Sequence, residues 1–181
     1  MNILLIDNQD SFTHNLRHLL ASTPIAGERP NVRVESHAAL DTLNPEADLL
    51  VISPGPGSPV EYPGYERLLE TGIPVLGVCL GMQIINHLLG GELDRLPGCV
   101  HGRADSIVLD GREMTVARYH SLHVTRVGQG LDVLARNRAG VIMCLGNRQR
   151  GLLGCQFHPE SFLSPHGKEF LDYAFRFLGL V

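Results

Sequence analysis

Three short stretches carry side chains able to do covalent chemistry. The first is GVCLGMQ, residues 77–83, which has the form G-x-C-x-G around Cys79. That form is the thiol counterpart of the nucleophile elbow, a sharp strand-to-helix turn that exposes a nucleophile at the carboxyl edge of a sheet. A cysteine beside an apolar run is in general a small buried hydrophobe. Here Gly77 and Gly81 remove side chains where the chain must bend tightly and neighbouring backbone must approach. Cys79 then falls at a helix amino terminus, where the dipole and the free N–H groups favour a thiolate.

A thiolate nucleophile needs a base, and QFHPES, residues 156–161, offers His158 and Glu160. Pro159 biases His158 toward an extended conformation. Residues two apart in an extended segment face the same side, so Glu160 would accept from one imidazole nitrogen while the other meets Cys79. Nucleophile, base and orienting carboxylate would form a triad. Outside such an arrangement the tripeptide reads as a surface His-Pro turn with a solvated glutamate. The third stretch is SPGPGSP, residues 53–59. Its prolines stiffen the loop and its glycines expose backbone N–H groups, as fixed donors for a developing oxyanion require. Gly55 N–H and Leu80 N–H would form the donor pair. Taken alone, a Pro/Gly loop after a strand is a common turn.

The elements that would hold these stretches follow from periodicity. NILLI (2–6), NVRVES (31–36), DLLVIS (48–53) and PVLGVC (74–79) are short apolar runs. Helical spacing lies between them, at Phe12, Leu16, Leu19 and Leu20 and at Leu80, Ile84, Ile85, Leu88 and Leu89. Strand and helix alternating in this way predict a parallel sheet covered on both faces. All three stretches then fall at its carboxyl edge, where open α/β folds place their sites. Beyond Gly91 the texture becomes antiparallel. SIVLDGREMTVAR (106–118) sets Asp-Gly between two strand-like runs, LDVLAR (131–136) and VIMCLG (141–146) flank the turn NRAG, and LLGCQF (152–157) is a further strand. Residues 164–178 predict a closing amphipathic helix with Ser164 as N-cap and Pro165 at the first helical position.

Composition bounds the function. With 181 residues, 44% of them hydrophobic, the chain predicts one domain, 1–181, with no room for a second catalytic domain. A net charge of -4 without a basic run argues against nucleic acid or an anionic membrane as partner. The first apolar run is broken by Asp7 and Asp10, so it reads as neither signal peptide nor membrane span, and a cytoplasmic protein is expected. Cysteines 79, 99, 144 and 155 make no C-x-x-C pair, which predicts reduced thiols. Cys155/His158 and His120/His123 have zinc-ligand spacing but lack a second close pair, so no metal is expected. No phosphate-binding or dinucleotide glycine motif occurs, which leaves the chain without an evident ATP or dinucleotide site.

The ordered set LLIDNQDSFTHNL, SPGPG, GVCLGMQ, HGR, RYHSL and QFHPESFLS resembles the class I, triad-type glutamine amidotransferases across nearly the full chain. DNQDSFT and RYHSL are most similar to the branch of small subunits that serve anthranilate synthase and aminodeoxychorismate synthase. The resemblance implies an open, mostly parallel flavodoxin-like α/β sheet flanked by helices, with an added antiparallel hairpin region. It implies that Cys79 attacks the side-chain amide of L-glutamine, His158 is general acid and base, and Glu160 orients it. Gly55, Pro56 and Gly57, the side chain of Gln83 and the backbone of Ser121 and Leu122 would hold glutamine. The implied partner is a large subunit that binds chorismate and magnesium and receives the ammonia, with no cofactor in this chain.

Two departures from the pattern stand out. The segment between HGR and RYHSL is shorter than usual, leaving less chain for the hairpin there, and Met82 replaces a frequent histidine. Two other readings remain open at this point: a stand-alone cysteine hydrolase of γ-glutamyl bonds, and a flavodoxin-like module with Cys79 as an oxidisable thiol. The second has no use for His158 and Glu160.

Overall fold

A computed structural model describes residues 1–98 and 101–181, and Cys99 lies outside the described residues. The first half runs β1 (Asn2–Asp7), α1 (Thr13–Ser22), β2 (Asn31–Ser36), β3 (Leu49–Ile52), the short helix α2 (Glu66–Leu69), β4 (Val75–Val78) and α3 (Leu80–Leu88). The second half runs β5 (Glu92–Arg95), β6 (Arg103–Leu109), β7 (Arg112–Arg118), β8 (Leu122–Arg126), β9 (Asp132–Arg136), β10 (Ile142–Asn147), β11 (Leu152–Cys155) and α4 (Gly167–Phe177). Among the described residues the central sheet has seven strands in the order β2-β1-β3-β4-β11-β10-β9. The first five are parallel, and β10 and β9 extend the sheet antiparallel.

The apolar runs explain the sheet. Every residue of β3, β4 and β11 is buried, as strands covered on both faces must be. Alternation then divides the core. Ile3, Leu5, Leu49, Val51, Leu76 and Val78 face α1 and α4 through Leu16, Leu20, Phe170 and Ala174. Leu4, Ile6, Leu50, Ile52 and Val75 face α3 and α2 through Leu80, Ile84, Ile85 and Leu68. The Asp-Gly hairpin forms with φ of 51° at Asp110 and 73° at Gly111, the twin positive values of a two-residue turn matched to strand twist. Despite its short segment it pairs all seven residues of β6 with those of β7.

Two expectations are corrected. Helix α4 begins at Gly167 with His166 as N-cap, and Ser164 does not cap it. Ser164 Oγ instead donates to the His158 carbonyl at 2.6 Å and accepts from Ala117 N–H at 2.8 Å, because the chain turns before the helix starts. Phe12 precedes α1 and is not part of its core face; its ring lies 5.3 Å from that of His158.

The glycines of the elbow are fixed by contact distance. A Cβ on Gly77 would run into the Gly81 carbonyl carbon, and one on Gly81 would run into the Ile52 oxygen. Both obstacles are backbone, so neither can swing away. Gly81→Ala is therefore expected to destabilise the protein by about 1–3 kcal/mol, the range of core overpacking, read from its urea unfolding midpoint.

Candidate active site

The parallel strands β1, β3, β4 and β11 are neighbours, and the loops that leave their carboxyl ends converge. From β4 the chain enters the elbow. Cys79 has φ 53° and ψ -102°, a conformation that non-glycine residues rarely adopt, and it is the N-cap of α3. Its amide is held by the Cys155 carbonyl at 2.7 Å, which prolongs the β4–β11 ladder by one step. Backbone strain of this kind is of order 1–3 kcal/mol and persists where the surroundings over-determine it.

The loop after β3 packs on the elbow. A Cβ on Gly55 would lie 2.6 Å from Leu80 Cδ2 and 2.7 Å from Asn8 Cβ. Asn8, at the end of β1, holds this loop from within: its N–H donates to Ser53 Oγ at 2.9 Å and its Nδ2 to the Ser53 carbonyl at 3.0 Å. Tyr65 Oη donates to Asn8 Oδ1 at 2.6 Å, and Tyr62 Oη to the Pro56 carbonyl at 3.0 Å. Among the described residues no acceptor takes the N–H of Gly55 or Leu80.

His158 follows β11. Its N–H donates to the Ala117 carbonyl at 3.0 Å, and its Nδ1 lies 2.7 Å from Glu160 Oε1. His158 itself bridges Ala117 antiparallel, as an extended residue does, but the extension ends there. Ser161 N–H reaches the His158 carbonyl at 3.3 Å, so residues 158–161 form a turn with Pro159 at its second position. The turn still brings Glu160 back onto the imidazole, with both side chains almost wholly buried. Phe12 and Tyr119 pack on the His158 ring, at centroid distances of 5.3 and 5.0 Å. Nε2 is buried without a hydrogen-bond partner among the described residues. Burial alone would lower the basicity of His158, but the neighbouring Cys79 and the carboxylate of Glu160 outweigh it and hold the ring well above its ordinary value. The other described thiols differ: burial pushes Cys144 and Cys155 strongly up, which leaves them protonated and inert.

A small cleft of about 140 Å³ opens on one side of Cys79. Gly55, Pro56, Gly57, Leu80, Gln83, Ser121 and Leu122 all line it, as do Tyr119 and His120. A second cavity, of about 400 Å³, is lined by Cys79 with Gly55, Pro56, Asp10, Phe12, His101, Tyr119 and His158. Cys79 thus borders both spaces, as do Gly55, Pro56 and Tyr119. Gln83 is buried in the first turn of α3, with Nε2 donating to the Leu122 carbonyl at 3.3 Å.

The histidines with zinc-like spacing are turned to other uses. His120 Nδ1 lies 2.8 Å from the Leu122 carbonyl and therefore carries a proton, so its Nε2 accepts from Arg118 Nε at 3.0 Å. His123 Nδ1 lies 3.1 Å from the Asp94 carbonyl. Arg118 is in turn held by Asp105 at 2.8 Å, which joins β7 to β6 across the hairpin and fixes the donor to His120. Asn8, Phe12 and Gln156 lie inside the quoted motifs and Tyr65 outside them, but residue type gives none of the four a role, and only the packing brings them to the site.

The sequence model of the glutamine amidotransferase class-I family matches residues 4–177. The chain is 38% identical to an anthranilate synthase component 2, pyocyanine specific, from Pseudomonas aeruginosa, over all of this chain and 96% of that one. It is 39% identical to an aminodeoxychorismate synthase from Streptomyces griseus, over 94% of this chain and 25% of that protein. The chain thus spans about a quarter of some curated relatives and nearly the whole of others. A Thermoplasma acidophilum protein named for its likeness to a GMP synthase subunit shares the fold, with a TM-score of 0.83 at 19% identity over 99% of this chain and 93% of that one.

Burial, followed by the charge of Arg118 and then of His158 and His123, lowers His120 to about 4. An unfolded histidine titrates near 6.5, so the unfolded chain binds the proton first as pH falls. The stability that His120 contributes is complete above about pH 6.5 and is lost toward pH 4. His120→Asn keeps a donor for Leu122 and is expected to flatten this loss, on the order of 2 kcal/mol, in urea midpoints measured from pH 7 to 4.

Proposed function

Because the chain belongs to the class I glutamine amidotransferase family, we propose that it hydrolyses L-glutamine to glutamate and supplies the ammonia to a chorismate-using synthase. The observation that carries the reading is the position of Cys79, on a strained elbow that borders both the small cleft and the cavity lined by His158. The relatives named for anthranilate and aminodeoxychorismate synthases support the acceptor class.

In this mechanism glutamine lies in the cleft against Gly55–Gly57, the Gln83 side chain and the backbone of Ser121 and Leu122. The Cys79 thiolate attacks the side-chain carbonyl carbon, and the oxygen takes up negative charge toward the N–H groups of Gly55 and Leu80, which are otherwise unused. His158, protonated beside the thiolate, gives its proton to the amide nitrogen, and ammonia leaves as the thioester forms. Water then enters, His158 takes its proton, and glutamate is released as the C–S bond breaks. Glu160, 2.7 Å from Nδ1, holds the ring and stabilises the imidazolium. Chorismate and magnesium would belong to the partner. Neither takes part in these steps.

Two measurements test the reading. Cys79→Ser should abolish glutamine-dependent amination by the chain paired with its synthase while leaving amination from added ammonium salt nearly intact. Equal loss with both nitrogen sources would refute the assignment.

His158→Ala should cost glutamate release by about 10³-fold or more, and Glu160→Gln distinctly less, because a neutral amide still holds the ring. Glutamate release by the lone chain is expected to rise when the synthase and chorismate are added. A lone chain already at full rate would favour the stand-alone hydrolase.

A further inference from the structure

Gln156 has no role in the mechanism above, yet it touches the sulfur. Its side chain is fully buried, and its Nε2 lies 3.5 Å from Cys79 Sγ. The strand register puts it there. Cys155 pairs with Val78 across the parallel β4–β11 ladder, so the next residue of each strand, Gln156 and Cys79, stand side by side. Gln156 N–H is held by the Met143 carbonyl at 2.9 Å, which fixes the backbone from the far side.

The direction of the Gln156 amide follows from its partners. The Leu122 carbonyl can only accept, so the atom of Gln83 that meets it at 3.3 Å must be the NH2 group. That same nitrogen lies 3.1 Å from Gln156 and donates there as well, so the Gln156 atom facing it is the oxygen. The NH2 of Gln156 is thereby aimed at sulfur. A turned amide would set two NH2 groups against each other in a buried site, which leaves a donor unpaired.

We propose that Gln156 is a catalytic residue that donates a hydrogen bond to the Cys79 sulfur, with its direction set from the substrate-holding segment through the Leu122 carbonyl and Gln83. A donor aimed at sulfur interacts more strongly with a thiolate than with a thioester, because an ionised acceptor makes the stronger bond. Its effect is greatest where sulfur carries charge: in the attacking thiolate, and again as the C–S electron pair returns to sulfur when water displaces the acyl group. Gln156 therefore assists the departure of the thiolate in the second half of the reaction. The cleft, the amide pair and the nucleophile form one connected set, so a shift of the Leu122 segment is felt at the sulfur.

The inference rests on Cys79 being the nucleophile, and its test reads the thiol directly. Iodoacetamide labelling of the intact chain, followed at the Cys79 peptide by mass spectrometry across pH, gives a midpoint for thiolate formation. Gln156→Met, similar in size but without the donor, is expected to raise that midpoint by about one pH unit, the scale of a hydrogen bond to a charged group. With the synthase present it should lower kcat for glutamate release while leaving KM near the wild-type value, since Gln156 meets the sulfur and not the substrate. An unshifted midpoint in a folded variant overturns the proposal. Should the variant fail to fold, the wild-type chain answers the same question by NMR. The side-chain NH2 signals of Gln156 should titrate with the Cys79 labelling midpoint and stop doing so after carboxamidomethylation, whereas flat signals overturn it. An inactive Cys79→Ser with an unshifted Gln156→Met removes this inference alone, and an active Cys79→Ser removes the reading of the site.

Discussion

The architecture of the site depends on one close approach of backbone to backbone. At Gly81 the first turn of α3 comes so near β3 that a single added carbon would collide with the Ile52 oxygen. Gly77 meets Gly81 in the same way, and Gly55 meets Leu80 and Asn8. Elbow and β3 are thus pressed together along their main chains, while the loop after β3 packs on the side chains of Leu80 and Asn8. The strained φ of Cys79 is the consequence. A helix that must start against β3, immediately after a strand that lies beside β3, leaves its first residue little choice of conformation.

Electrostatics then sorts groups of one chemical type into different roles. Of the three described cysteines, Cys144 and Cys155 face the apolar core, where a charge finds no partner, while Cys79 faces a buried imidazole. The histidines divide in the opposite sense. His158 is held up by Cys79 and Glu160, and His120 is driven down by burial and Arg118. The neutral His120 holds the Leu122 carbonyl through one ring nitrogen and accepts from Arg118 through the other. His158 and His120 so stand at one site with their proton affinities moved in opposite directions.

The cleft is small and the second cavity larger, and Cys79 borders both. The aromatic rings of Phe12 and Tyr119 pack on His158 and line the second space, so the same side chains that fix the ring also shape that cavity. DNQDSFT gains a local reason here. Asp7 Oδ1 accepts from Gln9 N–H, Asp10 N–H and Thr13 Oγ1, and this folds the β1–α1 turn that presents Phe12.

Much of this protein is legible in the order of its residues. Buried strands announce themselves as unbroken apolar runs, α1, α3 and the body of α4 as helical spacing, and the β6–β7 hairpin as Asp-Gly, because each depends on neighbours in the chain. Gly77, Cys79 and Gly81 are equally local, so the elbow could be read before any fold was known. What the chain order does not contain is which distant segments meet. It left Ser164 looking like a helix cap, although the tertiary structure uses its hydroxyl to join β7 to the His158 carbonyl, and it left Phe12 looking like helix core. The Cys79–Gln156 contact is separated by 77 positions and exists only because β11 enters the sheet parallel to β4 with Cys155 opposite Val78. Local propensity cannot choose such a register. It is decided when both faces of the sheet are covered at once, and only then do the carboxyl ends of β1, β3, β4 and β11 stop at one place.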